Sequence, residues 1–554
     1  MIGVIVDTTQ HRIVSEFFEL FKTPWEFYQS NRRYEVILSV GEVILENNAT
    51  SLVLNYADVT SAIEDIAKNE ATSGKANRML QWREVLLPIY GEGITFGEDG
   101  NAILVDRESG HAAIHQHRSS DGLVIRIGYD LFNEVRVLLT SGQPTTCAAI
   151  PTLDHHIALL RDLIISNGIP LIEIPPVPEG YKFITCLTHD VDHPSIRWHK
   201  WDHTILGFLR RATFTSLINL FRNRISVQNL LTNWTSALKV PLVYLGFLKD
   251  FWRSFDDSYL ELEKELSSTF FLIPFRDDPG RSVCGRAPSF RAARYRAADL
   301  KDMIGKVIAA GCEIGLHGID AWCDSNKGRR EIEEIRRLTG TPSIGARMHW
   351  LYFNEGSHCV LEQAGVRYDS TVGYKETVGY RAGTTQVYKP LDVEQLLELP
   401  MHVMDTALFY PAYMGLSQRQ AAEILAPLIE NVSRLGGCFT INWHDRSLAP
   451  ERLWDACYRT IVHDLMNRNA WFATAGQATL WFQKRRSVVF GSDQRDTDTV
   501  SVNLGALQEE LVPGLKLRIY NPGASPTSQS NSSQEYVDIA LNQSIDRLAI
   551  CGTA

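Results

Sequence analysis

The stretch FITCLTHDVDHP, residues 183–194, is an apolar run that ends in four titratable side chains, His189, Asp190, Asp192 and His193. A strand leaving a core ordinarily stops at a turn residue. Side chains alternate across a strand, so Asp190 and Asp192 share a face with Val191 turned away. Two carboxylates can then enter one pocket, one to ligate a metal and the other to stay free as a base.

The pattern repeats outward from this run. Between Lys182 and about Arg485 lie further apolar stretches: STFFLIPF (268–275), CEIGLH (312–317), SIGARMH (343–349), LLELPMHVM (396–404), CFTINWH (438–444) and WFATAG (471–476). Helix-like segments sit between most of them, such as AADLKDMIGKVIAAG (297–311), RREIEEIRRLTG (329–340) and a run from Ser417 to Leu435. The last opens with Ser417 and Gln420 in capping-box spacing. Such alternation implies a parallel sheet or barrel, with chemistry at the C-terminal strand ends. The titratable residues fall there: Asp190 and Asp192, then His317, His349 and His444. Imidazole and carboxylate together suit Zn²⁺, and also Fe²⁺, Co²⁺ or Ni²⁺. Three such ligands and an open position would activate water, with one carboxylate as base and a second acid for the leaving group.

The flanks differ in texture. Residues 1–178 predict an N-terminal α/β domain, closed by the Pro-rich joint IEIPPVPEGYK (172–182), and residues 486–554 predict a small β module. Residues 194–253 interrupt the alternation with nine Lys or Arg against two Asp, a net charge of +7, and with Trp198, Trp201, Trp234 and Trp252. Basic residues, Trp and aliphatics on short helices suit either a membrane-surface element or an insertion packed on its own barrel. The 554-residue chain is 44% hydrophobic with a net charge of −10, a composition unlike that of a nucleic-acid binder. Nine scattered cysteines without a C-x-x-C pair argue against a disulfide framework and fit a reducing compartment. The opening MIGVIVDTTQHRIVSEFF has no basic leader region, so the expected location is cytoplasmic.

The motifs LTHDVDH, EIGLHG, GARMHWLYF, AGVRYDSTVGY, GYRAGT, LELPMHVMDTAL and INWHD occur in an order that resembles the polysaccharide deacetylase family, the NodB-homology carbohydrate esterases. The resemblance covers about residues 182–485 and is closest to the polysaccharide-biosynthesis branch that reads H-D-V-D. The D-V-D spacing is also similar to that of lipid-linked aminoarabinose deformylases. It implies a distorted (β/α)₇ TIM-like barrel, a divalent metal, zinc first, and removal of an N-acyl group from a sugar. Position by position, it implies Asp190 as general base, Arg347 as its orienting partner and His444 as general acid. Asp192 and His317 become metal ligands, Trp443 a wall of the acyl pocket and Asp405 a supporting carboxylate. The second histidine of the family's H-x-x-x-H element falls on Ala321. His349, Asp320 or His193 could supply the missing ligand. His349 is preferred, because imidazole replaces imidazole and Arg347 and His349 alternate onto one face. Tyr368, Asp369, Ser370, Tyr380 and Arg381 are candidates for holding the sugar or its phosphate. The expected partner is an N-acylated sugar, lipid-linked if residues 194–253 touch a membrane. A glycan-binding protein without metal is the alternative.

Overall fold

The computed structural model describes residues 1–554 except 42–49, 59–71, 75, 98, 100–101, 120–121, 223, 254, 494–495, 506–510, 521–535 and 550–554. The chain forms two compact units. One comprises residues 1–180, 380–386 and 480–554, and the other residues 181–379 and 387–479.

The second unit is built on a curled parallel sheet. Its strands are β1 (Phe183–Val191), β2 (Ser268–Leu272), β3 (Glu313–Gly318), β4 (Ala346–Met348), β5 (Tyr368–Asp369), β6 (Leu397–Glu398), β7 (Val403–Met404), β8 (Cys438–Asn442) and β9 (Ala470–Phe472). They run in the order β6-β5-β4-β3-β2-β1-β8-β7, with β9 also on β1, and all pair in parallel. The sheet is open between β6 and β7. The link from Leu399 to His402 spans that gap through single bonds, Leu399 N–H to Asp369 O (2.8 Å) and His402 N–H to Thr440 O (3.0 Å). The fold is thus mixed α/β with a half-barrel sheet, as the strand–helix alternation implies. Every residue of β1 is buried, which explains its continuous apolar run: a central parallel strand is covered on both faces. The expected capping box is present, Ser417 and Gln420 each accepting from the other's backbone N–H.

Packing inside the sheet is tight. A Cβ on Gly345 would lie 1.9 Å from the Tyr368 ring. That ring is pinned, because the Tyr368 hydroxyl donates to Glu313 Oε1 (3.0 Å), while Glu313 Oε2 accepts from Thr269 Oγ1 (3.0 Å) and Gly476 N–H (2.8 Å).

Residues 194–253 form helices α1 (His203–Arg210), α2 (Ser216–Phe221) and α3 (Val227–Tyr244), with a π-turn at Arg211–Thr215. Asp202 caps α1 by accepting from Thr204 and Ile205 N–H, and Ser226 caps α3. Ile205, Phe208, Ala212, Val240 and Val243 bury one side of the insertion around Trp252 and Ala449. Among the described residues no helix is long and apolar enough to cross a membrane.

The first unit holds a six-stranded sheet in the order 114–119, 122–127, 52–56, 36–40, 2–5, 25–27, parallel except for the hairpin of its first two strands. Its membership differs from the sequence division into 1–178 and 486–554. Leu171–Glu173 pairs antiparallel with Leu515–Tyr520, so C-terminal strands share a sheet with the N-terminal region. The segment 380–386 also belongs here: Gln143 Nε2 donates to Tyr380 O (2.7 Å), and Asp154 accepts from Thr384 Oγ1 (2.7 Å) and Thr385 N–H (2.8 Å). Pairing across more than 300 residues leaves no local trace in the sequence. Cys551 lies outside the described residues, and the other eight cysteines are free thiols.

Two glycine substitutions test this packing in opposite directions. Gly345→Ala should cost about 1–3 kcal/mol through overpacking against Tyr368. Gly305→Ala, inside the helix Lys301–Ala309 with open space at its Cβ, should gain about 0.4–1 kcal/mol. Urea midpoints at unchanged m-value measure both.

Candidate active site

Strand alternation sorts the opening motif. Asp190 and Asp192 turn into the pocket, whereas His189 turns away, its Nε2 3.0 Å from Glu263 Oε1 and its Nδ1 2.8 Å from Trp443 O. Asp190 is buried and clamped from two strands. Arg347 Nη1 donates to its Oδ1 (3.1 Å) and Asn442 Nδ2 to its Oδ2 (2.7 Å). Burial alone would raise its pKa, but His317, Arg347 and His444 outweigh that and hold it below the usual carboxylate value. Arg347 is itself fixed, donating to Thr188 Oγ1 (2.7 Å), Ser370 O (3.0 Å) and Ser370 Oγ (2.9 Å).

Asp192 stands at the centre. Its Oδ1 is 3.4 Å from His317 Nε2 and 3.6 Å from His349 Nε2, and its Oδ2 is 3.9 Å from His444 Nε2. One ligand atom from each of Asp192, His317 and His349 falls within 4.8 Å of the others. His317 Nδ1 donates to Arg347 O (3.0 Å), which turns Nε2 toward Asp192. His349 is held neutral: burial pushes its pKa well below the ordinary histidine value, outweighing the opposing charge of Asp192. Asp192 Oδ1 is buried and lacks a hydrogen-bond partner. An unpartnered carboxylate oxygen facing two imidazole nitrogens fits a divalent cation, and two nitrogens with one oxygen match a three-ligand zinc set. The chain reverses directly after His349 through left-handed Trp350 and Leu351 (φ 64° and 50°), and Arg291 Nη2 donates to His349 O (2.8 Å).

His444 is prepared differently. Its Nδ1 lies 2.6 Å from Asp405 Oδ1, and its backbone N–H donates to Asp405 Oδ2 (2.7 Å), which also accepts from Ser447 Oγ. Burial disfavours its charge, but Asp405, then Asp192 and Asp190, outweigh burial and raise its pKa to about 10. His444 therefore stays protonated at neutral pH.

Asp190, Asp192, His317, Arg347, His349, Asp405 and His444 come together in this way. Other expected residues do not. Trp443 alternates away from His444 and is fully buried, its ring against Tyr458 (5.2 Å) and Phe409 (5.9 Å), so it offers no surface to an acyl group. Asp320 accepts from Arg281 N–H (2.6 Å) and Lys327 Nζ (2.5 Å) and stays outside the ligand cluster. His193 pairs with His199 (Nδ1 to Nε2, 3.3 Å). Ala321 faces the helix Ser325–Thr339, where a Cβ on Gly328 would meet its Cβ at 3.2 Å, leaving no room for an imidazole. Tyr368, Asp369 and Ser370 are interior residues. Asp369 lies with His358 and Glu398 in a second buried set of metal-compatible groups, where burial and Glu398 raise its pKa. Tyr380 and Arg381 belong to the other compact unit, with Tyr380 buried in it. Asn442 and Thr188 are site residues that sequence reasoning passed over. The trace of Asn442 is its two-residue offset before His444, which places both on one face.

No family model and no curated protein matches the chain. Solved structures overlap it in part. A protein described as a polysaccharide deacetylase from Mycobacterium smegmatis is 19% identical over 56% of this chain and 95% of its own, with a TM-score of 0.34. One so described from Pseudomonas aeruginosa PAO1 is 14% identical over 56% and 94%, with a TM-score of 0.35. An allantoinase is 14% identical over 55% and 91%, with a TM-score of 0.34.

His317→Ala and His349→Ala should each weaken zinc binding by about tenfold or more, as measured by competition with a chromogenic chelator. Asp320→Asn should leave it unchanged.

Proposed function

We propose that the protein is a metal-dependent N-deacylase of acylated sugars, working in the cytoplasm at the inner face of the membrane. The observation that carries this reading is the grouping of a buried Asp190 clamped by Arg347 and Asn442, a His444 paired with Asp405, and Asp192 facing His317, His349 and His444. Asp192, His317 and His349 would hold one divalent ion, zinc first, which would supply Lewis acidity toward the acyl carbonyl and an attacking water. Asp190, oriented by Arg347 and Asn442, accepts the proton of that water. His444 donates its Nε2 proton to the departing amine, and Asp405 stabilises the imidazolium until it does. The products are a carboxylic acid and an amino sugar. General acid and base of this kind each contribute about 10²–10⁴ in rate.

The insertion supports a membrane location. Its outward face is apolar on both long helices: Leu206, Phe214, Ile218 and Phe221 on one side, and Val227, Leu231, Trp234, Leu238, Leu242 and Leu245 on α3. Phe214, Phe221 and Leu238 are 75%, 79% and 78% exposed. Arg222 and Lys239 are exposed among them, whereas the two Asp residues of the insertion, Asp202 and Asp250, cap backbone instead. An apolar face rimmed by cations is complementary to an anionic lipid surface.

Purified protein should release acetate or formate from N-acyl amino sugars, lose that activity on chelation, and recover it with zinc. Asp190→Asn should lower kcat by about 10²–10⁴. Retained glycan binding with neither bound metal nor hydrolysis would replace this reading with that of a glycan-binding protein. The general acid must be protonated to act, so activity should fall as pH rises through the His444 pKa of about 10. Asp405→Asn removes the main charge that raises this pKa and should move the alkaline limb downward, toward about 6.5. The triple variant Leu231→Ser, Trp234→Ser, Leu238→Ser should lose about tenfold in co-sedimentation with anionic vesicles while keeping its activity on soluble substrate.

A further inference from the structure

Behind the apolar face of the insertion lies a cleft of about 510 Å³, between the insertion and the segments 409–418 and 451–454. That volume is within the ~300–1,000 Å³ range of small-ligand sites. Four guanidinium groups enter its lining: Arg210, Arg211 and Arg224 from the insertion and Arg452 from the opposite wall. The carboxylate in the lining, Glu451, is already engaged. Its Oε1 accepts from Arg446 Nη2 (2.8 Å) and its Oε2 from Trp252 Nε1 (3.3 Å). Among the described residues none of the four arginines has a carboxylate within ion-pair distance.

Two of them are under-satisfied. Arg211 Nε and Arg452 Nε are both buried without a hydrogen-bond partner. Burial, with the nearby charges of Arg446 and Arg452, lowers the Arg211 pKa to about 10. Arg452 is held in place, donating to the Tyr410 hydroxyl (2.6 Å) with its guanidinium 5.0 Å from the Trp454 ring centre. Converging guanidinium groups with unused donors cost free energy unless an anion joins them. Their fork geometry matches phosphate oxygens.

The cleft also adjoins the candidate active site. Arg452 Nη1 is 3.5 Å from Ser447 Oγ, Ser447 donates to Asp405, and Asp405 holds His444. The short helix Asp405–Phe409 begins at the residue that orients His444 and ends at the cleft wall, about 6–8 Å further on at 1.5 Å per residue. We propose that this cleft binds the phosphate or diphosphate through which the sugar is joined to its carrier. The inference rests on the sugar-deacylase reading and narrows its substrate to a glycosyl phosphate or diphosphate. Lipid-linked and nucleotide-linked sugars share that group.

Isothermal titration of the full-length protein with inorganic pyrophosphate tests the cleft by itself, without hydrolysis. Saturable binding is expected, weakened at least tenfold in Arg211→Gln and in Arg224→Gln and unchanged in Arg222→Gln, which is exposed outside the cleft. Arg224 is also exposed, so its replacement tests the cleft even if Arg211→Gln fails to fold. Absent binding at millimolar pyrophosphate, or binding indifferent to both substitutions, would overturn the proposal. Two further probes identify the carrier: a soluble nucleoside-diphosphate sugar, and neutral vesicles doped with a polyprenyl diphosphate. Arg224-dependent binding of either supports the cleft and names its source, whereas binding of both that ignores Arg224 counts against it. Hydrolysis of N-acyl sugars without pyrophosphate binding would remove only this inference. Pyrophosphate binding without hydrolysis would remove only the deacylase reading.

Discussion

Asp190 is a carboxylate taken out of water and kept charged, and the site is arranged around that constraint. Removing such a group from water costs several kcal/mol, which an ion pair offsets only with good geometry and further hydrogen bonds. Arg347 supplies both. Its donors reach Thr188 and Asp190 on β1 and Ser370 just past β5, so one side chain ties three strand ends together. Asn442 closes the other side of the carboxylate from β8. Loss of Arg347 would strand a buried charge and release the register of those ends at once. The buried pair therefore fixes the geometry of the pocket as well as the charge of Asp190.

Within a few ångströms two histidines are driven to opposite states by their neighbours. His349 is neutral because burial works against a proton and outweighs the pull of Asp192. His444 is charged because Asp405 sits 2.6 Å from its Nδ1 with its other oxygen held by backbone and by Ser447. A neutral imidazole offers a lone pair to a cation, and an imidazolium offers a proton to a leaving group. The environment sets these two states, since the two side chains are chemically identical.

The insertion is apolar on two sides. On α3 the inward side carries Leu230, Val240 and Val243 beside Asn233 and Ser236, and the outward side carries Leu231, Trp234, Leu238 and Leu242. The inward apolar side anchors the helix on its own unit, and the outward one is left exposed. The same helices turn arginines toward the cleft behind them. One element thus carries both an exposed apolar face and the arginines that line the cleft.

The local sequence was sufficient for the parallel α/β half-barrel. Buried central strands must be continuously apolar, helices between them must be amphipathic, and both patterns lie within a few residues of the chain. It was also sufficient to bring forward Asp190, Asp192, His317, His349 and His444, because the period of two along a strand says which side chains share a face. Tertiary structure decided what depends on distant neighbours. Trp443, Tyr368 and Asp369 look like binding residues in sequence and are interior packing in space. Asp320 is taken by Lys327, and Tyr380 and Arg381 belong to the unit that also gathers residues 1–180 and 480–554. Ala321 appears as a lost ligand until Gly328 shows that no imidazole would fit there. Hydrogen-bond partners, charge states and the cleft of four arginines arise between segments up to hundreds of residues apart. No local periodicity encodes such proximity, and only the folded chain creates it.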